Sequence, residues 1–332
     1  MDRVSQLIRL LADGELHSGE TIAEQLGMTR AAVWKALRKA CDRQGLTVES
    51  LRGRGYRLAA PLELLDAEQI LAALSPRGRR AVARLEIHEG IDSTNRHLMR
   101  EAATGAPSGT LCLAERQSAG RGRLGRPWIS PFGANLYLSM LWRYGAPPAA
   151  LGGFSLVAGA VVADVLHRVG VKGLALKWPN DLLWGRRKLG GMLLEVAGEA
   201  QGPCSLVVGI GINLRMAPDH GRAIDQPWVD LAEVLGGGPG IGRNALAALV
   251  ADALIDALER FGHEGLAPFL VLWDAFDAFR GEQVRLLIAD REVRGRVIGI
   301  AADGALRLDT SDGERRFHAG EVSLRREDEV EP

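Results

Sequence analysis

Glycine and arginine alternate through Gly120, Arg121, Gly122, Arg123, Gly125 and Arg126, with Trp128 just beyond. Glycine lets backbone amides come close to a ligand, and arginine forks match phosphate and carboxylate groups. The pattern suits a loop that closes over a polyanion. Residues 120–125 spell G-x-G-x-x-G, but a dinucleotide fold needs a helix to follow. Here Pro127 and the alternating Leu136, Leu138 and Met140 read as a strand. Arg126 and Pro127 also stand where a phosphate cradle of the P-loop kind needs Lys and Ser or Thr. A flexible basic surface loop is the plain alternative, and the aromatics, prolines and Asn135 nearby argue against it.

The elements that must position this loop are spread over 332 residues, enough for two domains, or three if one is small. With 47% hydrophobic and 25% charged residues the composition is that of a soluble globular chain. Formal net charge is zero, so any nucleic-acid binding must come from local clustering. Cys41, Cys112 and Cys204 are scattered without C-x-x-C spacing, which argues against a disulfide framework or a thiolate zinc site and fits a reducing cytoplasm. His17, His88, His97, His167, His220, His263 and His318 show no ligand spacing, and no metal site is expected from them. The first residues lack the apolar core and cleavage site of a secretory signal. Residues 151–163 form the longest apolar run, which Asp164 ends well short of a membrane span. A buried helix is expected there, and no membrane partner.

At the amino terminus Val4, Leu7, Ile8 and Leu11 fall at helical spacing. Ile22 and Leu26 mark a second helix, Gly27-Met28 a turn, and Thr29 an N-cap for a third helix with Val33, Ala36, Leu37 and Ala40 facing inward. That is a helix-turn-helix arrangement. Two short strands around Arg52-Gly53-Arg54-Gly55 read as a wing. Residues 29–58 hold eight Lys or Arg against Asp42 and Glu49, a local balance of +6. Thr29, Arg30, Lys35, Arg38, Arg52 and Arg54 are the expected DNA contacts, since phosphates require such a patch. A protein-interaction domain with a solvated basic face is the bland alternative. Trp34 is left open between core and groove.

Pro61-Leu62-Glu63 reads as a linker. Asp66 caps a short helix over 67–74, with Gln69 at the reciprocal position, and Ser75-Pro76-Arg77-Gly78 breaks it. Leu85 and Ile87 mark a strand. Ser93-Thr94-Asn95 can cap a helix around 96–104, and 111–114 is a strand. A helix spans about 151–168, followed by a strand at 174–178. Gly209 and Gly211, two apart in a β-branched strand, lack side chains on one face, so something packs closely there. Residues 236–242 form a loop before a helix over 244–260, and another helix spans 266–276. From Glu282 onward, short alternating runs punctuated by Asp290-Arg291, Asp303-Gly304 and Asp312-Gly313 predict a roughly five-stranded small barrel. The closing REDEVEP is expected to fray.

The words GRGRLGRPWISPFGANLYLSM (residues 120–140), KWPND (177–181), RKLGG (187–191) and GIGINL (209–214) together resemble the biotin–protein ligase family. The DNA-binding head makes the likeness closest to its bifunctional ligase and operon-repressor members, over nearly the whole length. The resemblance implies an α+β multidomain fold: a winged helix-turn-helix over 1–62, a mixed α/β ligase domain over 63–278 and an SH3-like barrel over 279–328. It implies a ligase that uses ATP and biotin, with Mg²⁺ on the nucleotide, to form biotinyl-5′-AMP and pass biotin to a lysine of a biotin carboxyl carrier protein. It places Ser93, Thr94 and Asn95 at the ureido ring, and Gln117, Gly120, Arg121, Gly122 and Arg123 around biotin and its adenylate. Trp128 would stack on adenine, Asn213 would lie on the adenine and biotin side, and Arg325 would meet the nucleotide. Lys188, with Arg123, would supply catalytic charge, and Asp181 would orient the acceptor lysine or draw off its proton. The adenylate would also act as corepressor, favouring a cytoplasmic homodimer on operator DNA. The rival readings are a lipoate–protein ligase, a transcription factor whose ligase-like domain only senses ligand, and a ligase with a relic head.

Overall fold

The structure, a computed structural model, describes residues 3–237, 240–288, 291–319 and 322–326. Three helices open the chain: α1 (Arg3–Leu11), α2 (Gly19–Leu26) and α3 (Arg30–Gln44). The Ser18 and Thr29 hydroxyls accept from the Glu20 and Ala32 N–H groups, capping α2 and α3. Gly27 ends α2 at φ 59°, a left-handed turn that glycine adopts without strain. Leu7, Leu11, Ile22, Val33 and Leu37 form a separate small core. Strands β1 (Val48–Leu51) and β2 (Gly55–Leu58) make the wing, with Arg52 and Arg54 exposed at its tip. Trp34 is exposed, and its ring stacks on Tyr56 of the wing at 5.7 Å.

The expected linker is tied down by hydrogen bonds. Leu62 N–H donates to the Ala12 carbonyl, and the Glu63 carboxylate accepts from the N–H groups of Arg243 and Asn244. Those two residues open a later helix whose first amides lack intrahelical partners, so Glu63 serves as its cap. Asp66 caps α4 (Ala67–Ala73) by accepting from Gln69 N–H. Ser75-Pro76 does more than break that helix. The Ser75 hydroxyl accepts from Gly78 N–H and starts a second short helix, α5 (Pro76–Ala81), where proline suits the first turn.

The central domain is built on seven strands: β3 (Arg84–His88), β4 (Thr110–Ala114), β5 (Asn135–Tyr144), β6 (Leu174–Lys177), β7 (Asp181–Trp184), β8 (Arg187–Gly198) and β9 (Cys204–Asn213). They lie in the order β3-β4-β5-β9-β8-β7-β6, with only the β3–β4 pair parallel. Alternation along β5 sends Leu136, Leu138 and Met140 into the main core. Ser139 and Leu141 face α6 (Thr94–Ala103) on the other side. The apolar run is the core helix α7 (Phe154–Arg168), buried along most of its length as expected. Two single-turn helices follow the sheet, α8 (Pro218–Gly221) and α9 (Leu231–Val234). After them come α10 (Arg243–Glu264), which runs past the expected end, and α11 (Ala267–Phe276).

The C-terminal strands β10 (Gln283–Ile288), β11 (Arg291–Ile300), β12 (Leu306–Thr310), β13 (Gly313–Phe317) and β14 (Val322–Arg326) are all antiparallel, in the order β13-β12-β11-β10-β14. Their inner side chains, Val284, Leu286, Val297, Leu308 and Leu324, run on into the central core. The architecture is therefore a helix-turn-helix head, a mixed α/β centre and a small β-rich end. Gly238, Pro239, Asp290, Gly320 and all of REDEVEP beyond Arg326 lie outside the described residues.

Candidate active site

One pocket opens beside β9 and collects most of the residues singled out by sequence. Ser93, Thr94, Asn95, Gln117, Arg121, Gly122, Arg123, Trp128, Asp181, Lys188 and Arg325 all line it. Its closed end is polar and buried. Ser93 caps α6, and the Thr94 N–H and hydroxyl both donate to Gln117 Oε1, at 2.9 and 3.2 Å. The Ser139 hydroxyl lies 2.7 Å from Thr94 Oγ1 and 2.6 Å from Asn95 Oδ1. The Asn95 amide donates to the Leu193 carbonyl and to Glu195. Such a network holds each donor and acceptor at a fixed angle, which suits recognition of a small polar ring.

Gly209 and Gly211 explain why β9 lacks side chains on this face. A Cβ on Gly209 would lie 2.1 Å from Asn95 Oδ1, and one on Gly211 would lie 2.7 Å from the Trp128 ring. The close packing expected from their spacing is thus the seating of Asn95 and Trp128. Gly120 lies behind the pocket, where a Cβ would meet Ser130 Oγ and the Trp128 carbonyl at 2.6 Å each. It lets the loop root approach the 128–130 segment and does not line the cavity.

Lys188 reaches the pocket through a β-bulge. In the β7–β8 ladder Leu182 pairs with Gly190 but Leu183 pairs with Lys188, leaving Leu189 as the extra residue. Regular alternation would put residues 188 and 191 on opposite faces. The bulge puts both on the pocket side while Leu189 enters the core. The Lys188 ammonium is 2.8 Å from Asp181 Oδ1 and 5.5 Å from the Trp128 ring centre. Its backbone is pinned as well: its N–H donates to the Pro227 carbonyl, and its own carbonyl accepts from Val229 N–H. Asn213 is buried and donates to the carbonyls of Val229 and Lys188. It lines an adjoining cavity beyond Trp128 and acts on the main pocket through Lys188.

The Gly/Arg loop folds over the mouth through a single 3-10 turn, Arg123–Gly125, with Leu124 at φ 55°. Arg121 pairs with Glu195 at 2.9 Å, and Arg123 approaches Asn180 Oδ1 at 3.4 Å. Burial holds the Arg123 guanidinium below its ordinary pKa, and Arg126 adds to that effect against the pull of Asp181. A half-buried cation whose charged form is disfavoured stands to gain from an arriving anion. Leu324 and Arg325 bring the C-terminal strands to the same mouth. Arg30, Lys35, Arg38, Arg52 and Arg54 lie apart from this pocket, exposed on α3 and the wing, with the exposed cap Thr29.

Three participants escaped sequence reasoning. Ser139 is the one aliphatic hydroxyl inside the largely apolar run 136–142, a signal that could have found it. Asn180 stands inside the KWPND word without being singled out, and Glu195 carries no local signal, because Arg121 reaches it across the fold.

Residues 88–213 match the biotin/lipoate A/B protein ligase family, 279–325 the biotin protein ligase C-terminal domain, and 3–57 an HTH domain. The bifunctional ligase/repressor BirA of Escherichia coli K12 is 45% identical over 320 residues, 96% of each chain. The Bacillus subtilis protein of the same description is 29% identical, covering 94% of this chain and 95% of its own. The biotin protein ligase from Aquifex aeolicus, solved with biotin and ATP, superposes with a TM-score of 0.63 at 29% identity, over 74% of this chain and 99% of its own. The chain belongs to the BirA family of bifunctional biotin ligase/repressors.

Proposed function

We propose that this chain joins biotin to a carrier-protein lysine in two steps in the pocket between α6, β8 and the Gly/Arg loop, and represses biotin-synthesis genes through its helix-turn-helix head. The observation that carries the ligase reading is the pocket's polarity. Hydrogen-bonding groups at the buried Thr94 and Asn95 and the half-buried Gln117 fill one end, and Lys188 and Arg123 stand at the other. That matches a neutral ureido ring at one end and a carboxylate meeting a triphosphate at the other.

In the first step a biotin carboxylate oxygen bonds to the α-phosphorus of ATP, and the bond to the bridging oxygen breaks, releasing pyrophosphate. Two anions must meet, so fixed positive charge is the main requirement. Lys188 leaves Asp181 for the carboxylate and α-phosphate, and Arg121 and Arg123 turn toward the phosphates as the loop closes. Trp128, held flat against Gly211, offers its face to adenine. Asp181, the one carboxylate among the described pocket residues, would hold a Mg²⁺ brought with the nucleotide, whose charge would offset that of the phosphates. In the second step an acceptor amine attacks the acyl carbon, the acyl–oxygen bond breaks, and AMP leaves. Asp181, released from Lys188, is placed to orient that amine and take its proton. The closed loop shields the anhydride from water.

Regulation follows by linkage. Adenylate that orders the Gly/Arg loop would favour a homodimer, and two heads would then span paired half-sites on operator DNA. Three buried free thiols suit the cytoplasm, where carrier and operator would be met. The test is the mass of a biotin carboxyl carrier domain after incubation with this chain, ATP, Mg²⁺ and biotin. A gain of one biotinyl group is expected. A gain only with lipoate would overturn the reading.

A further inference from the structure

On the edge of the central sheet, away from the pocket, four side chains of metal-ligating type meet. Glu86 and His88 are two apart on β3 and so share a face. Cys112 stands opposite Glu86 on β4, and His97 descends from α6. Their donor atoms all lie within 4.8 Å of one another. His97 Nε2 is 2.6 Å, and His88 Nε2 3.3 Å, from the same oxygen, Glu86 Oε2. The other Glu86 oxygen is engaged separately, 2.8 Å from Arg84 Nε. Linear spacing hides the group, because three elements supply it.

We propose that Glu86, His88, His97 and Cys112 form a binding site for one divalent transition-metal ion of the zinc class. Two imidazoles, a carboxylate and a thiol are the donor set zinc favours in four-coordinate sites. Bonds of about 2.0–2.3 Å separate tetrahedral donors by about 3.3–3.7 Å, so shifts of about 1 Å assemble the site. Arg84, in ion-pair range of the far oxygen, supplies an outer charge of the kind that accompanies ligating carboxylates in such sites. Cys112 is fully buried while Glu86 and the histidines are partly exposed, and β3 is the sheet's edge strand. An ion therefore enters from solvent and meets sulfur last, and the thiol proton leaves to water as the metal–sulfur bond forms. The bland alternative is a hydrogen-bonded His–Glu–His group beside an inert thiol. Hydrogen bonding accounts for the two imidazoles on one oxygen but not for the fourth donor, and the gathering of sulfur with the other three within 4.8 Å favours the ion. The His97 N–H donates to the Ser93 carbonyl, so occupancy would pin the end of α6 that carries Thr94 and Asn95.

The experiment is titration of the chelator-stripped full chain with Co²⁺, followed by absorption, then displacement by Zn²⁺. The expected result is about one equivalent bound, with a thiolate-to-cobalt charge-transfer band that Zn²⁺ bleaches. Cys112→Ser should abolish the band, and His88→Gln, at the exposed side, should weaken binding about ten-fold or more. Wild-type protein with no thiolate band overturns the proposal without reference to any variant. Binding that is unchanged in folded His88→Gln overturns it equally.

Discussion

Gly209 and Asn95 are packed so closely that a single methyl group on the glycine would overlap the Asn95 carboxamide, its carbon lying 2.1 Å from Oδ1. Gly211 stands in the same relation to Trp128, at 2.7 Å. The two glycines therefore seat two different side chains, Asn95 and Trp128, which the proposed function assigns to biotin and to adenine. Gly209→Ala should raise KM for biotin about ten- to hundred-fold, the cost of misplacing a buried hydrogen-bonding group, with little change in KM for ATP. Gly211→Ala should do the reverse. Steady-state kinetics with each substrate varied in turn decide it. Equal effects on both substrates would mean that the strand acts only as scaffold.

The basic residues of the head should serve DNA and leave the ligase alone. Replacing Lys35 or Arg38 with Ala should weaken binding across sequences and reduce the salt slope by about 1 for each phosphate that is no longer neutralised. Biotin transfer should stay at the wild-type rate. Fluorescence anisotropy on operator DNA at several salt concentrations measures the slope. A slope unchanged in both variants would remove α3 from the interface.

A buried ion pair ties the start of α10 and the 63–65 segment to the central sheet. Arg243 Nη1 lies 2.7 Å from Glu115 Oε2, with both side chains below a tenth exposed. Arg243 also donates to the carbonyls of Glu63 and Asn135, and Glu115 accepts from Leu65 N–H. Arg243→Ala leaves the Glu115 carboxylate buried without its cation and should cost about 3–5 kcal/mol. Urea unfolding checks this, and a loss below about 1 kcal/mol would contradict it.

Asp92, just before α6, carries a pH signature. Hydrogen bonds from Arg100, helped by Ser93 N–H and Arg96 and opposed by burial, hold its carboxyl well below the usual range. A depressed carboxylate contributes stability above its unfolded pKa and loses it as pH falls through the folded value. The stability gap between wild type and Asp92→Asn should be full at neutral pH and shrink below about pH 4. Urea midpoints across that range test it. A gap that stays constant to about pH 2 would show the pairing to be irrelevant.

Much of the fold was legible because its signals are local. Thr29 and Gly27 announce the turn before α3 by their chemistry, and Gly209-x-Gly211 announces a close approach by its spacing. What was illegible arises between distant strands. The Leu189 bulge that aims Lys188 comes from mismatched pairing with β7, which no local pattern reveals. The same holds for Glu195 beneath Arg121, and for Glu63, which reads as linker yet caps a helix that begins far along the chain. Asn213, which the family resemblance puts near the ligand, donates its amide to the carbonyls of Lys188 and Val229 and lines the cavity beyond Trp128, an arrangement set by partners far apart in the chain.

The central claim is that Lys188 supplies charge to the meeting of two anions, and its most direct test omits the carrier protein. Biotinyl-5′-AMP formation should be followed in a single turnover with ATP labelled at the α-phosphate, for wild type and for Lys188→Ala. The account predicts a rate lower by about 10²–10³ in the variant, with the wild-type unfolding transition retained. Adenylate formed at the wild-type rate by folded Lys188→Ala would contradict it.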